Sequence, residues 1–197
     1  MLQSNQFIVF SLPRSRSAWM RHFLSYAGEQ VGHDLATECA SIEEFKEKFS
    51  ELTGTCETGA VLGWRVLREE LPKVKLVVVK RDPVEVWQSL AGFGIDTDLD
   101  DLVRKWTLLD LVSSLPGVLT IQYPALEDPQ VCKVLFEHCL DLPFDWGWWE
   151  QHHRVNIQVD MRLRLKQLLV NRGKIELLKA EVAQRTAGLG EHHSCLN

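Results

Sequence analysis

Apolar residues along this chain occur with two different spacings. Phe7–Phe10 and Leu76–Val79 are unbroken apolar runs, each followed within a few residues by a proline. They predict buried strands, the second of them over Val74–Lys80. Elsewhere apolar residues recur every three or four positions, as Met20, Phe23 and Leu24 do, which predicts helices that pack by one face. Strands that alternate with helices predict an α/β fold, a three-layer sandwich with a mainly parallel central sheet.

The other predicted elements follow the same two patterns. Two further strands are predicted, one over Val31–Leu35 and one over Val118–Gln122. Further helices are predicted, in chain order, after Ser41, over residues 60–71, after Pro83, over residues 102–112, over residues 131–135 and through the final third of the chain.

Length and composition place the chain among ordinary globular proteins. Its 197 residues suit a single domain, residues 1–197, and a net charge of −5 argues against a general affinity for nucleic acid. The five scattered cysteines contain no Cys-x-x-Cys pair, the first ten residues lack a secretory signal, and no stretch has the length of a membrane span. We therefore expect a cytoplasmic protein that binds no nucleic acid and inserts into no membrane.

The turn after the first predicted strand, Leu12–Trp19, concentrates groups that bind anions. It joins a strand to a helix, where backbone N–H groups without helical partners form a natural anion site. Arg14 and Arg16 add planar charged forks, and Ser15 and Ser17 add hydroxyl donors. The turn has no Gly-Lys-Ser/Thr, through which a P-loop binds phosphate and magnesium. These residues predict a phosphate-type or sulfate-type ligand and no obligatory metal.

This turn resembles the 5′-phosphosulfate loop of the sulfotransferases that use 3′-phosphoadenosine 5′-phosphosulfate (PAPS), in a short Pro-Arg-Ser-Arg-Ser variant. The resemblance implies a P-loop NTPase-like sulfotransferase fold with PAPS as the donor co-substrate. It implies that Arg14 contacts the phosphosulfate and stabilises the leaving phosphate, and that Trp19 lies against the adenine. Further contacts to the donor would come from Ser15, Arg16, Ser17 and Ala18, with Arg16 in place of the glycine of better-known members. The alternative is that both arginines are solvated turn residues and that Trp19 belongs to the core.

A second turn, Lys80–Leu90, resembles the 3′-phosphate motif of the same family. In that motif an arginine ends a strand, an Asp/Asn-Pro pair follows, and a serine lies well into the next helix. Arg81 and Ser89 have this offset, and an arginine at a strand tip binds phosphate through two charge-assisted contacts. The alternative is an arginine that caps the sheet edge and a serine bonded within its own helix. The prediction of function depends on the two turns together.

A third segment, Leu119–Pro129, resembles the family's strand that ends in Tyr-x-x-Leu-x-x-Pro. This resemblance implies that Tyr123 approaches the base of the donor. The family's further donor contact, Arg-Lys-Gly, has only a weak counterpart at Asn171–Lys174.

The motifs leave the catalytic base open. Sulfuryl transfer to a hydroxyl or amine needs a group that accepts the acceptor's proton within hydrogen-bond reach. Gly63–Arg65 stands approximately where cytosolic members have Lys-Thr-His. Glu57, ahead of a predicted helix, is the first candidate, and the alternative is a first-turn carboxylate favoured by the helix dipole. His33 and Asp34, at the end of a predicted strand, are the second choices, because the ordinary pKa of a histidine suits proton transfer, and the alternative is that His33 is a structural histidine.

Aromatic residues concentrate between Phe144 and Trp149. They either line an acceptor pocket or pack the C-terminal helices onto the sheet. The adjacent histidines His152 and His153 have no evident third ligand, so they predict no metal site.

These features predict a PAPS-dependent sulfotransferase that moves a sulfuryl group to a hydroxyl or amine of a small molecule or carbohydrate, without a metal. One alternative is a P-loop-type nucleotide or small-molecule kinase, which should carry Gly-Lys-Ser/Thr and a magnesium-binding acid. The other is a non-catalytic, nucleotide-binding protein with the same fold.

Overall fold

A five-stranded sheet forms the centre of the protein in a computed structural model that describes residues 6–155 and residue 157. All neighbouring strands are parallel, in the order β2-β3-β1-β4-β5. The strands are β1 (Phe7–Ser11), β2 (Val31–His33), β3 (Gly54–Glu57), β4 (Lys75–Lys80) and β5 (Leu119–Gln122).

Helices cover both faces of this sheet. Three N-terminal caps, the side chains of Ser41, Asp82 and Asp98, accept hydrogen bonds from the first turns of α2, α4 and α5. The α-helices are α1 (Ser17–Leu24), α2 (Ile42–Phe49), α3 (Trp64–Glu70), α4 (Pro83–Ala91), α5 (Leu99–Ser113), α6 (Pro129–Leu140) and α7 (Trp146–His152). Short 3-10 helices follow four of the elements, at Tyr26–Gly28, Leu35–Glu38, Ala60–Gly63 and Tyr123–Glu127.

The side chains of β1 alternate between two hydrophobic cores. Phe7 and Val9 pack with α1 and α6 on one face, whereas Ile8 and Phe10 pack with helices α2 to α5 on the other. Every residue of β1 is buried, because the strand lies in the middle of a sheet that is covered on both sides. This position explains the unbroken apolar run and confirms the predicted three-layer α/β architecture.

Strand β3 was not among the predicted elements. Its sequence, Gly54–Glu57, has one strongly apolar residue, Cys56, between two polar residues whose side chains are fully buried, Thr55 and Glu57. Glu57 ends this strand, and the helix predicted over residues 60–71 follows it as a 3-10 helix and α3, so Glu57 stands ahead of a helix as predicted but does not belong to its first turn. Strand β2 stops at His33, short of the predicted Leu35, because Asp34 adopts a left-handed φ of 54°.

Helix α6 confirms the predicted helix over residues 131–135, and α7 follows it. The predicted helices beyond residue 157 and the Asn171–Lys174 segment lie outside the described residues. The single domain over residues 1–197 stays a prediction. Within residues 6–155, no helix has both the length and the apolar composition that a bilayer crossing requires.

Candidate active site

The carboxyl ends of the parallel strands bring most of the predicted site residues to one edge of the sheet. The loop Leu12–Arg16 follows β1, Arg81 follows β4, and Tyr123 follows β5. Strands β1 and β4 are hydrogen-bonded neighbours, so the two predicted phosphate turns lie side by side. Ligands of open α/β sheets bind at this edge.

The loop after β1 has a backbone shape suited to anions. Arg14 and Arg16 have left-handed φ angles of 62° and 61°, whereas Ser15 between them does not. Alternation of this kind turns successive N–H groups toward one concave side, which binds anions. Arg16 is the N-cap residue of α1, which begins at Ser17, and its side chain makes no capping hydrogen bond. Two L-residues in a left-handed conformation cost energy and are typical of functional sites.

The hydroxyl of Ser15 is a second unusual feature of this loop. Ser15 is fully buried, and its Oγ atom has no hydrogen-bond partner among the described residues. A buried hydroxyl without a partner is unfavourable, and such groups concentrate where function requires them.

The side chain of Arg14 reaches across to helix α4. Its Nε atom donates a hydrogen bond to Ser89 Oγ at 3.4 Å, and its Cζ atom lies 4.1 Å from the ring centroid of Phe93. Ser89 lies two turns into α4, so Arg14 links the predicted 5′-phosphosulfate loop to the predicted 3′-phosphate helix.

Arg81 follows β4, and its side chain contacts one residue that follows β1 and one that follows β5. Its guanidinium donates a hydrogen bond to the backbone carbonyl of Arg14, and its Cζ atom lies 4.2 Å from the ring centroid of Tyr123. Its side chain is 15% exposed, and the carboxylate of Glu85 lies 3.5 Å from Nε on a side chain that is 59% exposed. Arg14 and Arg81 therefore carry two positive charges at the neighbouring tips of β1 and β4, in a chain with an overall negative charge, and this pair favours an anion at that edge.

The side chain of Arg16 turns away from this point toward the end of the sheet. It forms an ion pair with Glu127 at 2.6 Å and donates to the Leu126 carbonyl at 3.4 Å. Both partners belong to the 3-10 helix that follows β5. A contact between Arg16 and a donor molecule would therefore come from its backbone N–H, and its guanidinium holds the loop in place.

Trp19 is a core residue in this structure. It is 4% exposed and stacks on Phe23 with ring centroids 4.9 Å apart, and its Nε1 donates to the carbonyl of His152 at 2.9 Å. These contacts match the alternative in which Trp19 packs in the core. Its contact with an adenine stays a prediction, as does the contact of Ala18, a half-buried residue in the first turn of α1.

Glu57 lies at the tip of β3 with both carboxylate oxygens engaged. Oε1 accepts from the N–H of Leu35 at 2.7 Å and from Thr55 Oγ1 at 2.6 Å, and Oε2 accepts from the N–H of Ala36 at 3.2 Å. Burial raises the pKa of this carboxyl, an effect that these three hydrogen bonds partly offset. The carboxylate fastens the tip of β3 to the 3-10 helix Leu35–Glu38.

His33 lies at the tip of β2 and faces the start of α1. Its Nε2 atom is 3.0 Å from Ser17 Oγ, and its Nδ1 atom is 3.5 Å from Asp34 Oδ2. The structure thus brings His33 to Ser17, the residue that follows the predicted donor loop, Leu12–Arg16. Glu57 has no hydrogen bond to that loop.

Comparisons with known proteins identify the architecture. No family model matches the chain, and no curated protein sequence matches it. Mouse sulfotransferase SULT7A1, solved in complex with PAP, superposes with a TM-score of 0.54 at 12% identity, over 77% of this chain and 63% of that one. The sulfotransferase domain from the curacin biosynthetic pathway superposes with a TM-score of 0.51 at 13% identity, over 80% of each chain. The fold is that of the sulfotransferases.

The sulfotransferase fold was predicted from the two phosphate turns, but several contacts were not. Phe93 and Glu127 carry no motif, and each meets an arginine more than 70 positions away in the sequence. Thr58, which donates to Asp34, follows a strand that was itself not predicted. The sequence offered one signal for these contacts, the apolar Phe93 between Gly92 and Gly94. An aromatic residue in a glycine-flanked loop is free to pack against a side chain from another part of the chain.

The aromatic segment near the end of the described residues packs α7 onto the rest of the sulfotransferase fold. Trp148 Nε1 donates to the Phe23 carbonyl at 2.8 Å, and Phe144 packs against Phe136 with centroids 5.5 Å apart. Trp146 remains 45% exposed. Within the described part of the chain, no group of three or more His, Cys, Asp or Glu side chains is arranged to hold a metal ion.

Proposed function

We propose that this protein transfers a sulfuryl group from PAPS to a hydroxyl or amine of a small-molecule or carbohydrate acceptor. The observation that carries the proposal is the junction of Arg14, Arg81 and Ser89 at the carboxyl edge of the sheet. Two basic strand tips side by side suit one ligand with two anionic ends. The shared fold with a sulfotransferase solved in complex with PAP supports this choice of nucleotide.

Each group has a role that follows from its position. The backbone N–H groups of the Leu12–Arg16 loop, with Arg14, would hold the phosphosulfate, and Arg81 with Ser89 would hold the 3′-phosphate. Tyr123, whose ring supports the guanidinium of Arg81, would lie beside the nucleoside. The residues present therefore fit the donor.

The reaction follows from these roles. The acceptor oxygen attacks the sulfur in line as the bond from sulfur to the 5′-phosphate oxygen breaks, and the electron pair leaves on that phosphate. Arg14 stabilises the charge that develops there, and the acceptor's proton passes to a base. Positioning and fixed charge supply most of the rate enhancement in chemistry of this kind.

We propose His33 as the base in preference to Glu57. Three donors already occupy the oxygens of Glu57, and its side chain is fully buried behind the 3-10 helix Leu35–Glu38. His33 is half-buried, and its Nε2 atom contacts the first residue of α1. Histidine is the side chain that most often serves as a general base.

A thermal-shift measurement tests the donor site without knowledge of the acceptor. Adenosine 3′,5′-bisphosphate at about 100 times its Kd should stabilise the protein by roughly 2.7 kcal/mol, which is a shift of several degrees. The Arg81→Ala variant should lose this shift. Arg104→Ala should retain it, because Arg104 is 69% exposed on α5 and pairs only with Asp101 among the described residues.

Two outcomes would overturn the proposal. Stabilisation by magnesium-ATP but not by the bisphosphate would support the kinase alternative. Stabilisation by the bisphosphate, with no release of sulfate or sulfated product from PAPS under any condition, would support the non-catalytic alternative.

A further inference from the structure

Three side chains from neighbouring elements line up behind the predicted donor loop. Ser17 is the first residue of α1, His33 is the last residue of β2, and Asp34 follows it. His33 Nε2 lies 3.0 Å from Ser17 Oγ, and His33 Nδ1 lies 3.5 Å from Asp34 Oδ2. A carboxylate, an imidazole and a hydroxyl thus form a connected row that ends at the loop.

The carboxylate in this row is held from the far side. Asp34 Oδ1 accepts from the backbone N–H of Thr58 at 2.8 Å and from Thr58 Oγ1 at 2.7 Å. Asp34 is 2% exposed and has a left-handed φ of 54°. A residue other than glycine holds this conformation only where its surroundings fix it, and such residues concentrate at functional sites.

The charge on Asp34 determines how the imidazole carries its proton. An ionised carboxylate only accepts hydrogen bonds, so it favours the tautomer of His33 with the proton on Nδ1. Nε2 then keeps its lone pair and accepts the hydrogen bond that the hydroxyl of Ser17 donates. The lone pair that can take up a proton is thereby directed at Ser17, the residue that follows the Leu12–Arg16 loop.

We infer that Asp34 is the positioning residue of His33, and that it sets the tautomer in which Nε2 accepts the proton of the sulfuryl acceptor. This inference rests on the proposed function. When the acceptor O–H bond breaks, the hydroxyl of Ser17 gives up its hydrogen bond to Nε2, the acceptor's proton moves to Nε2, and Asp34 stabilises the positive charge on the ring. The separation of 3.5 Å is long for a hydrogen bond, and such contacts tighten when the substrates are in place.

The Asp34→Asn variant tests the inference with almost no change in shape. The backbone N–H of Thr58 can only donate, so it keeps the amide oxygen of Asn on its side and turns the NH₂ group toward His33 Nδ1. An N–H donor there favours the opposite tautomer, with the proton on Nε2. The control is Asp100→Asn, which removes the same charge from an exposed residue of α5.

Nitrogen-15 NMR of the histidine rings reads the tautomer directly and needs no ligand. The His33 signals are assigned by their loss in His33→Gln. We expect Nδ1 to carry the proton in the unsubstituted protein and in Asp100→Asn, and Nε2 to carry it in Asp34→Asn. The same tautomer in all three proteins, or a proton on Nε2 in the unsubstituted protein, overturns the inference.

Hydrolysis of PAPS, with water as the acceptor, supplies the kinetic readout. We expect Asp34→Asn to lower kcat on the order of 10²-fold, the usual contribution of a general base, with little change in KM for PAPS. A loss confined to KM overturns the inference. Failure of adenosine 3′,5′-bisphosphate to stabilise the unsubstituted protein counts against the proposed function alone, since the NMR result does not depend on it.

Discussion

The Nε atom of Arg14 lies 3.4 Å from the Oγ atom of Ser89, although the two residues are 75 positions apart in the sequence. The contact joins the loop after β1 to the helix after β4. The groups predicted for the two ends of one nucleotide therefore form one connected site. A substitution at either residue should alter the position of the other side chain.

Ser89→Ala should weaken binding of adenosine 3′,5′-bisphosphate. It removes a hydroxyl that contacts Arg14 and that would contact the 3′-phosphate. A hydrogen bond to a charged group contributes about 1.5–3 kcal/mol, so Kd should rise roughly 10-fold to 150-fold. Isothermal titration calorimetry measures this change. Ser113→Ala, on the exposed end of α5, should leave Kd unaltered, and an equal loss in both variants would contradict the prediction.

Phe93→Ala should also weaken binding of the bisphosphate, but by less. The ring lies 4.1 Å from Arg14 Cζ, is 46% exposed and holds the guanidinium against α4. A cation–π contact at an exposed site contributes about 0.5–1 kcal/mol, which is about twofold to fivefold in Kd. Phe93→Tyr keeps the ring and should bind as the unsubstituted protein does. Equal affinity of the alanine variant would show that the ring does not orient Arg14.

Arg16→Gly should leave the free energy of unfolding within about 1 kcal/mol of its original value. The ion pair with Glu127 has one partner that is 72% exposed, so its loss costs little. Glycine also adopts the left-handed φ of 61° without strain, which offsets that loss. Urea denaturation measures the stability of this variant and of Arg16→Val. The valine variant should be clearly less stable, because a branched side chain is strained at a left-handed φ. The reverse order of stability would contradict this account of the loop.

Stability should fall as the pH rises through the folded-state pKa of Glu57. Burial raises this pKa above its ordinary value of 4.5, so the folded protein binds the proton more tightly than the unfolded chain does. The favourable contribution is fully present below pH 4.5 and is lost as the pH rises through the raised pKa. Urea denaturation at a series of pH values should show this decline in the unsubstituted protein and not in Glu57→Gln.

At neutral pH, Glu57→Gln should itself be less stable by about 1–3 kcal/mol. The N–H groups of Leu35 and Ala36 donate to the two carboxylate oxygens, and the NH₂ group of glutamine cannot accept from either, so one buried donor loses its partner. Binding of the bisphosphate should persist, since Glu57 has no hydrogen bond to the donor loop. Loss of bisphosphate binding in a folded variant would contradict this role.

The sequence allowed prediction of those parts of the fold that local pattern determines. Strands β1 and β4 lie in the middle of the sheet and must be apolar on both faces, so their pattern is unmistakable. Strand β3 is held in part by buried hydrogen bonds of Thr55 and Glu57, and no apolar run reveals such a strand.

The same division applies to the site. The anion-binding character of the Leu12–Arg16 loop follows from its residue types, and the positions of Arg81 and Ser89 follow from a motif on one turn and helix. The direction of the Arg16 side chain depends on Glu127, 111 positions further along, and no local pattern encodes that pairing. His33 and Asp34 were both recognised as candidates, but the hydrogen bond between Asp34 and Thr58 depends on a strand that no local pattern revealed.

The strand order has a consequence for the path of the transferred group. Arg81 stands one strand to one side of the donor loop, whereas His33 stands at the tip of β2, two strands to the other side, roughly 10 Å across. A departing nucleotide and an incoming acceptor would accordingly occupy opposite halves of the sheet edge. Substitutions that enlarge the space at the tips of β2 and β3 should therefore change the acceptor specificity and leave the affinity for the nucleotide unaltered.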